Sequence, residues 1–168
     1  MKRPGSIAAA TLALSMLAAF VWEHPASAAK VHTGACTTSK SRFKTSKTIE
    51  ETAALSFETI PGTTIEFRQS GNKAKCVRVE FSVVAYVRNS AKMEVRARLD
   101  GNAVAKPGIV QLSGDDDENN ADGAARARAF LFVFPKVKPG KHTVRIEWRS
   151  TVQTFINIER RTTVVHHR

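Results

Sequence analysis

The sequence is poor in the residues that most often announce chemistry. It holds two cysteines, one tyrosine and five histidines among 168 residues. It contains no Gly-x-Ser-x-Gly elbow and no His-Glu-x-x-His motif, so the common local signatures of hydrolases and zinc peptidases are missing. His166 and His167 are neighbours in an extended tail, where alternation sends their rings to opposite faces and keeps them from chelating one ion. After Val21 no apolar run approaches the about 20 residues that a membrane-crossing helix needs. No stretch shows a convincing amphipathic helical period either. The sequence therefore points away from a motif-based enzyme and from a mature chain with a transmembrane segment.

Acids are also scarce, at 15 against 26 lysines and arginines. Residues 1–28 read as a secretory signal peptide: Lys2 and Arg3 open it, Ile7 to Val21 is apolar, and Pro25-Ala26-Ser27-Ala28 offers a small-residue cleavage site. That leader carries Lys2, Arg3 and Glu23, a net +1, so the +11 of the whole chain leaves about +10 on residues 29–168. A secreted or periplasmic location is expected. Such a charge favours anionic partners, whether polysaccharide, lipopolysaccharide, lipid or nucleic acid. Specific nucleic-acid recognition is not supported, because Arg and Phe follow strand alternation and no recognition motif.

Cys36 and Cys76 are the only thiols, and in an exported protein they are expected to pair. A lipid attachment at Cys36 is the rival, disfavoured because Lys30 and His32 part it from the apolar run. Residues 29–52 are rich in Ser, Thr and Lys, with Phe43 the one large apolar side chain before Ile49. They read as a flexible basic arm pinned at Cys36. The domain proper is then 53–168.

Within it, apolar residues alternate in short runs between turn signals. Leu55, Phe57 and Thr59 precede Pro61-Gly62; Thr63, Ile65 and Phe67 follow it. Val77 to Val87 is the longest run, and Met93 to Leu99 leads into the Asp100-Gly101 turn. Phe130, Phe132 and Phe134 alternate with Ala129, Leu131 and Val133, apolar on both faces, which reads as a central strand with Arg126 and Arg128 at its start. Pro139-Gly140 opens the clearest amphipathic strand, with Val144, Ile146 and Trp148 facing a core. Val152–Ile158 and Thr162–His166 follow as two strands, the last an edge. The expectation is an all-β, two-sheet antiparallel sandwich of about eight or nine strands, with a jelly roll favoured over a seven-stranded immunoglobulin-like plan.

Gly140, His142, Thr143, Val144, Ile146 and Trp148, with Leu99-Asp100-Gly101 and Phe130–Phe134, form a pattern that resembles small exported bacterial jelly-roll proteins. The plan is similar to tumour-necrosis-factor-like and lectin-like folds. The likeness runs from about Leu55 to Val165. It implies the fold, and self-assembly as an alternative role, but supplies no catalytic residues.

Chemistry is thus sought in charge. Lys40, Arg42, Lys44 and Lys47 on the arm, with Arg78, Arg88, Arg96, Arg98, Arg145 and Arg149 on outward strand positions, are the candidate cradle for an anionic polymer. The run from Asp115 to Asp122 is acidic. Its sixth and twelfth positions, Asn120 and Arg126, exclude an EF-hand. It reads as a solvated turn offsetting nearby arginines, with a looser calcium loop through Asp115, Asp117 and Asp122 as the competing expectation. No other cofactor is implied. His142 is expected as a structural histidine, and Trp148 as core.

Overall fold

A computed structural model describes residues 35–87, 91–113 and 125–168, which fall in one compact unit, Gly34–Arg168. Among the described residues eleven strands follow in chain order: β1 (Lys40–Ser46), β2 (Glu50–Thr52), β3 (Glu58–Thr59), β4 (Ile65–Gln69), β5 (Lys75–Val87), β6 (Lys92–Leu99), β7 (Ala103–Val104), β8 (Val110–Ser113), β9 (Arg126–Val137), β10 (Gly140–Ser150) and β11 (Ile156–His167). They form two antiparallel sheets. One is ordered β1-β11-β5-β9, with β2 also on β11; the other is β3-β10-β6-β7, with β4 also on β10 and β8 also on β6.

Three edges are each made of two short strands along one neighbour. β1 and β2 share β11, β3 and β4 share β10, and β7 and β8 share β6. Counting each couple as one, the chain visits eight positions, ordered 1-8-3-6 in one sheet and 2-7-4-5 in the other. Broken edges are short templates for unwanted pairing. Among the described residues β9 alone is an unbroken edge.

Alternation explains the core. Val77, Val79, Phe81 and Val83 of β5 and Phe132 and Phe134 of β9 face Val95 and Ala97 of β6 and Val144, Ile146 and Trp148 of β10, all buried. Each large side chain so buried contributes about 1.5–3 kcal/mol.

Four expectations change. The segment read as a flexible arm is a strand over Lys40–Ser46, in register with Ser46↔Arg161 through Lys40↔His167. Its first six residues are exposed, so main-chain bonds hold it where composition shows no burial. The two tail strands are one, β11, with a shift between Glu159 and Thr162 and Arg160 at φ 44°. β11 is central, not an edge. Its polar residues are accommodated individually: buried Arg161 donates to Pro61 O, Thr48 O and Glu50 Oε1 at 2.9, 2.7 and 2.9 Å. β9 is an edge, not a central strand, and Leu131 on its outer face is 51% exposed. Phe57 lies apart from the core cluster. Its ring lies under the guanidinium groups of Arg96 and Arg149, 3.8 and 4.7 Å from its centroid, where cation–π attraction replaces burial.

Cys36 and Cys76 form a disulfide with Cα atoms 5.4 Å apart, tying the segment before β1 to the start of β5. The double substitution Cys36→Ser/Cys76→Ser is expected to lower unfolding free energy by about 2–4 kcal/mol, measured by urea denaturation. Amides of β1 should lose hydrogen-exchange protection before those of β5.

Candidate polyanion-binding surface

The ten cations picked from the sequence divide into groups with different surroundings. Arg96 and Arg98 on β6 and Arg145 and Arg149 on β10 do come together, since Arg145 pairs with Arg98 and Arg149 with Glu94 across the ladder. They are not free. Glu147, 3% exposed, sits among three of them. Its Oε2 accepts from Arg96 Nε at 2.8 Å and from Nη2 at 2.7 Å, its Oε1 accepts from Arg145 Nε at 2.8 Å, and Arg98 Nη1 lies 3.8 Å off. Glu94, also buried, accepts from Arg149 Nε at 2.6 Å and from Gln111 Nε2 at 2.7 Å. Burial works to raise the Glu94 carboxyl. The hydrogen bonds from Gln111 and Arg149, with the charges of Arg149 and Lys92, outweigh it and hold the group below its ordinary value. This face is a lattice of ion pairs on a sheet. Alternation places the arginines outward together with Glu94 and Glu147, but only the β6–β10 register sets the two glutamates between the arginines.

On the other sheet, Arg78 is paired with Glu80 at 2.9 Å, and His166 Nε2 lies 3.3 Å from the same carboxylate. Arg88 and the acidic residues Asp115, Asp117 and Asp122 lie outside the described residues. Among the described residues no group of three or more His, Cys, Asp or Glu side chains could hold a metal ion. Lys47 is exposed in the connection between β1 and β2.

The remaining candidates, Lys40, Arg42 and Lys44, share the core-side face of β1 with their ladder partners His167, Val165 and Thr163. β1 is an edge, so these side chains project past the core toward β4, the facing edge of the second sheet. Two adjoining depressions of about 370 and 480 Å³ open there, both lined by Arg42 and Glu66. Lys44, Ser41 and Thr64 line one; Arg68, Lys141, His142 and Thr143 line the other.

Arg68 and Lys141 escaped the sequence reading because only strand register joins them. They are direct ladder partners, Lys141↔Arg68, in the β4–β10 pairing. Like charges placed opposite one another are destabilising by roughly 0.2–1 kcal/mol. The Arg145–Arg98 couple escapes that repulsion because Glu147 lies between them. No ion pair relieves Lys141, Arg68, Arg42 or Lys44 among the described residues, while Lys40 Nζ reaches Ser70 Oγ at 3.5 Å. Two acids line this end: Glu66, which forms no ion pair among the described residues, and Asp100, which accepts from Thr143 N at 2.9 Å and lies 2.8 Å from His142 Nδ1. His142 Nε2 faces Lys138 O at 2.8 Å, and the ring packs 5.6 Å from Phe67. His142 therefore serves the structure, closing the groove floor.

His167, buried against Phe67 with centroids 5.1 Å apart, is held below its usual value. Burial is the main cause, hydrogen bonding partly opposes it, and the charges of Arg42 and Lys40 add to it.

No protein-family model matches the chain, and no curated protein matches it. A solved structure, dimeric latent PorU from Porphyromonas gingivalis, is similar over 83% of this chain at 12% identity and a TM-score of 0.45. The chain spans 14% of the length of that protein.

Two outcomes follow. Glu147→Gln should cost about 1.5–3 kcal/mol, the worth of a hydrogen bond to a charged group, read by urea denaturation. His167 favours its neutral form when folded, so its contribution is complete above pH 6.5 and is lost as pH falls below that value. Glu94 favours its ionised form, so its contribution is complete above pH 4.5 and is lost as pH falls through the depressed folded value. The thermal midpoint should therefore drop in two steps on acidification, and His167→Gln should remove the first.

Proposed function

We propose that this chain is an exported, non-enzymatic β-sandwich module that adheres to anionic envelope or extracellular polymer through the groove between β1 and β4. The observation that carries this is the Lys141–Arg68 couple with Arg42 and Lys44 beside it; Glu66 lines the same groove, yet no carboxylate is ion-paired to any of the four among the described residues. An unrelieved cluster of like charge costs stability, and a bound polyanion would relieve it. The sheet-face arginines support this role less, since glutamates already occupy them.

Export is supported by the leader pattern of residues 1–28, which lie outside the described residues. The Cys36–Cys76 disulfide suits an oxidising compartment. Among the described residues no helix is long and apolar enough to cross a membrane. The eight-position strand order favours reading the sandwich as a jelly roll, with its two interlocked Greek keys.

Binding to immobilised heparin, used as a probe polyanion, tests the site. Affinity should fall about tenfold or more between 50 and 300 mM NaCl as screening shortens the reach of the cations. Arg42→Gln/Arg68→Gln/Lys141→Gln should lose about tenfold, while Lys92→Gln/Lys136→Gln, removing exposed cations elsewhere, should stay within about twofold. Equal losses in both variants would reduce the effect to net charge and overturn the groove.

A further inference from the structure

β9 has the composition of a central strand and the position of an edge. Inward, Phe132 and Phe134 are buried and Phe130 packs partly against the core. Outward, Ala127, Ala129, Leu131 and Val133 form an apolar row, with Ala127, Ala129 and Leu131 exposed. Its ladder with β5 runs from Ala85↔Arg126 to Lys75↔Val137. On its other side one residue is paired: Lys106 N donates to Val133 O at 2.8 Å, and Val133 N donates to Lys106 O at 2.9 Å.

That reciprocal pair fixes the phase of the edge. In an antiparallel ladder the backbone groups of alternate residues point to alternate sides. Because Val133 points away from β5, so do Leu131, Ala129 and Ala127. Among the described residues their N–H and C=O groups meet no further strand. One contact touches the row, a 3.3 Å bond from Arg128 Nη1 to Ala127 O. It also sets a guanidinium at the strand margin. The protections usual on an edge are a break, a Pro, or a charge on the exposed row. Between Ala127 and Leu131 there is no break and no Pro, and the one charge, Arg128, lies on the opposite face from the apolar row; Pro135 lies beyond the Lys106 bridge.

We propose that the β9 edge from Ala127 to Leu131, about 17 Å long, takes an extended acidic peptide strand of a partner protein by β-addition, in line with Lys106. The chemistry of the occupant follows from the register. Its side chains opposite Ala127, Ala129 and Leu131 share their apolar face. Those opposite Arg128 share a cationic one. A strand with Val on one face and Glu on the other satisfies both, while main-chain bonds supply most of the affinity. A basic strand would place like charges opposite Arg128. This edge is separate from the β1–β4 groove, at the opposite margin of its sheet.

The test uses a blocked seven-residue peptide, Val-Glu-Val-Glu-Val-Glu-Val, titrated into the oxidised full chain and followed by amide shifts of β9. Binding should appear at Ala127, Ala129 and Leu131. N-methylating the peptide at its inward-bonding residues should weaken it about tenfold or more with the protein untouched. Ala129→Pro removes an outward N–H and none of the β5 ladder, so it should abolish binding with little change in thermal midpoint. Arg128→Glu should reverse the preference toward a Lys-containing peptide. Unchanged affinity after N-methylation would overturn the proposal. So would self-association of the free chain that Ala129→Pro abolishes, since a second copy would then own the edge.

Discussion

The ladder between β1 and β11 is the constraint on which the cationic groove depends. Lys40–Ser46 brings almost nothing to the core, yet Lys40, Arg42 and Lys44 can form a wall only if that strand stays extended and in register. Backbone bonds to β11 give it direction. The disulfide at Cys36 fastens one end. At the other end Arg161, bound to Thr48 O and Glu50, fastens the turn into β2. A strand with exposed side chains is thus held by its two ends and its main chain, which leaves its cations free for something other than packing.

Charge is handled in opposite ways in two parts of the molecule. On the outer face of β6 and β10, four arginines surround two buried glutamates, and Phe57 covers part of the lattice. Such a network restrains side chains and fixes register, and replacing either glutamate leaves desolvated cations without a partner. At the β1–β4 margin the cations have no such companions among the described residues. The same residue type is structural in one place and available in the other, and its neighbours decide which.

Much of the architecture was legible because burial imposes a period of two. Val77–Val87, Met93–Leu99 and Val144–Trp148 declared their inward faces without ambiguity, and Asp100-Gly101 declared its turn. β1 was illegible because main-chain pairing leaves no hydrophobic trace. β9 was misassigned because an apolar residue exposed at an edge looks, in sequence, like one buried under a second layer. The tail was divided because a bulge at Arg160 interrupts the alternation of what is one strand. The site was half legible: Arg42 and Lys44 could be nominated from composition, whereas the Lys141–Arg68 encounter arises from register between segments some seventy residues apart. Glu147 hid for the same reason. A lone acid in a strand gives no hint that three guanidinium groups will converge on it.

The disulfide has a consequence for timing. Thiols remain unpaired in a reducing cytosol, so a newly made chain there lacks the clamp on its N-terminal strand. The wall carrying Arg42 and Lys44 is then the part freest to peel from β11, and the cationic groove is incomplete. Oxidation to the Cys36–Cys76 bond closes it. The redox state of one bond thereby decides whether both walls of the groove stand complete.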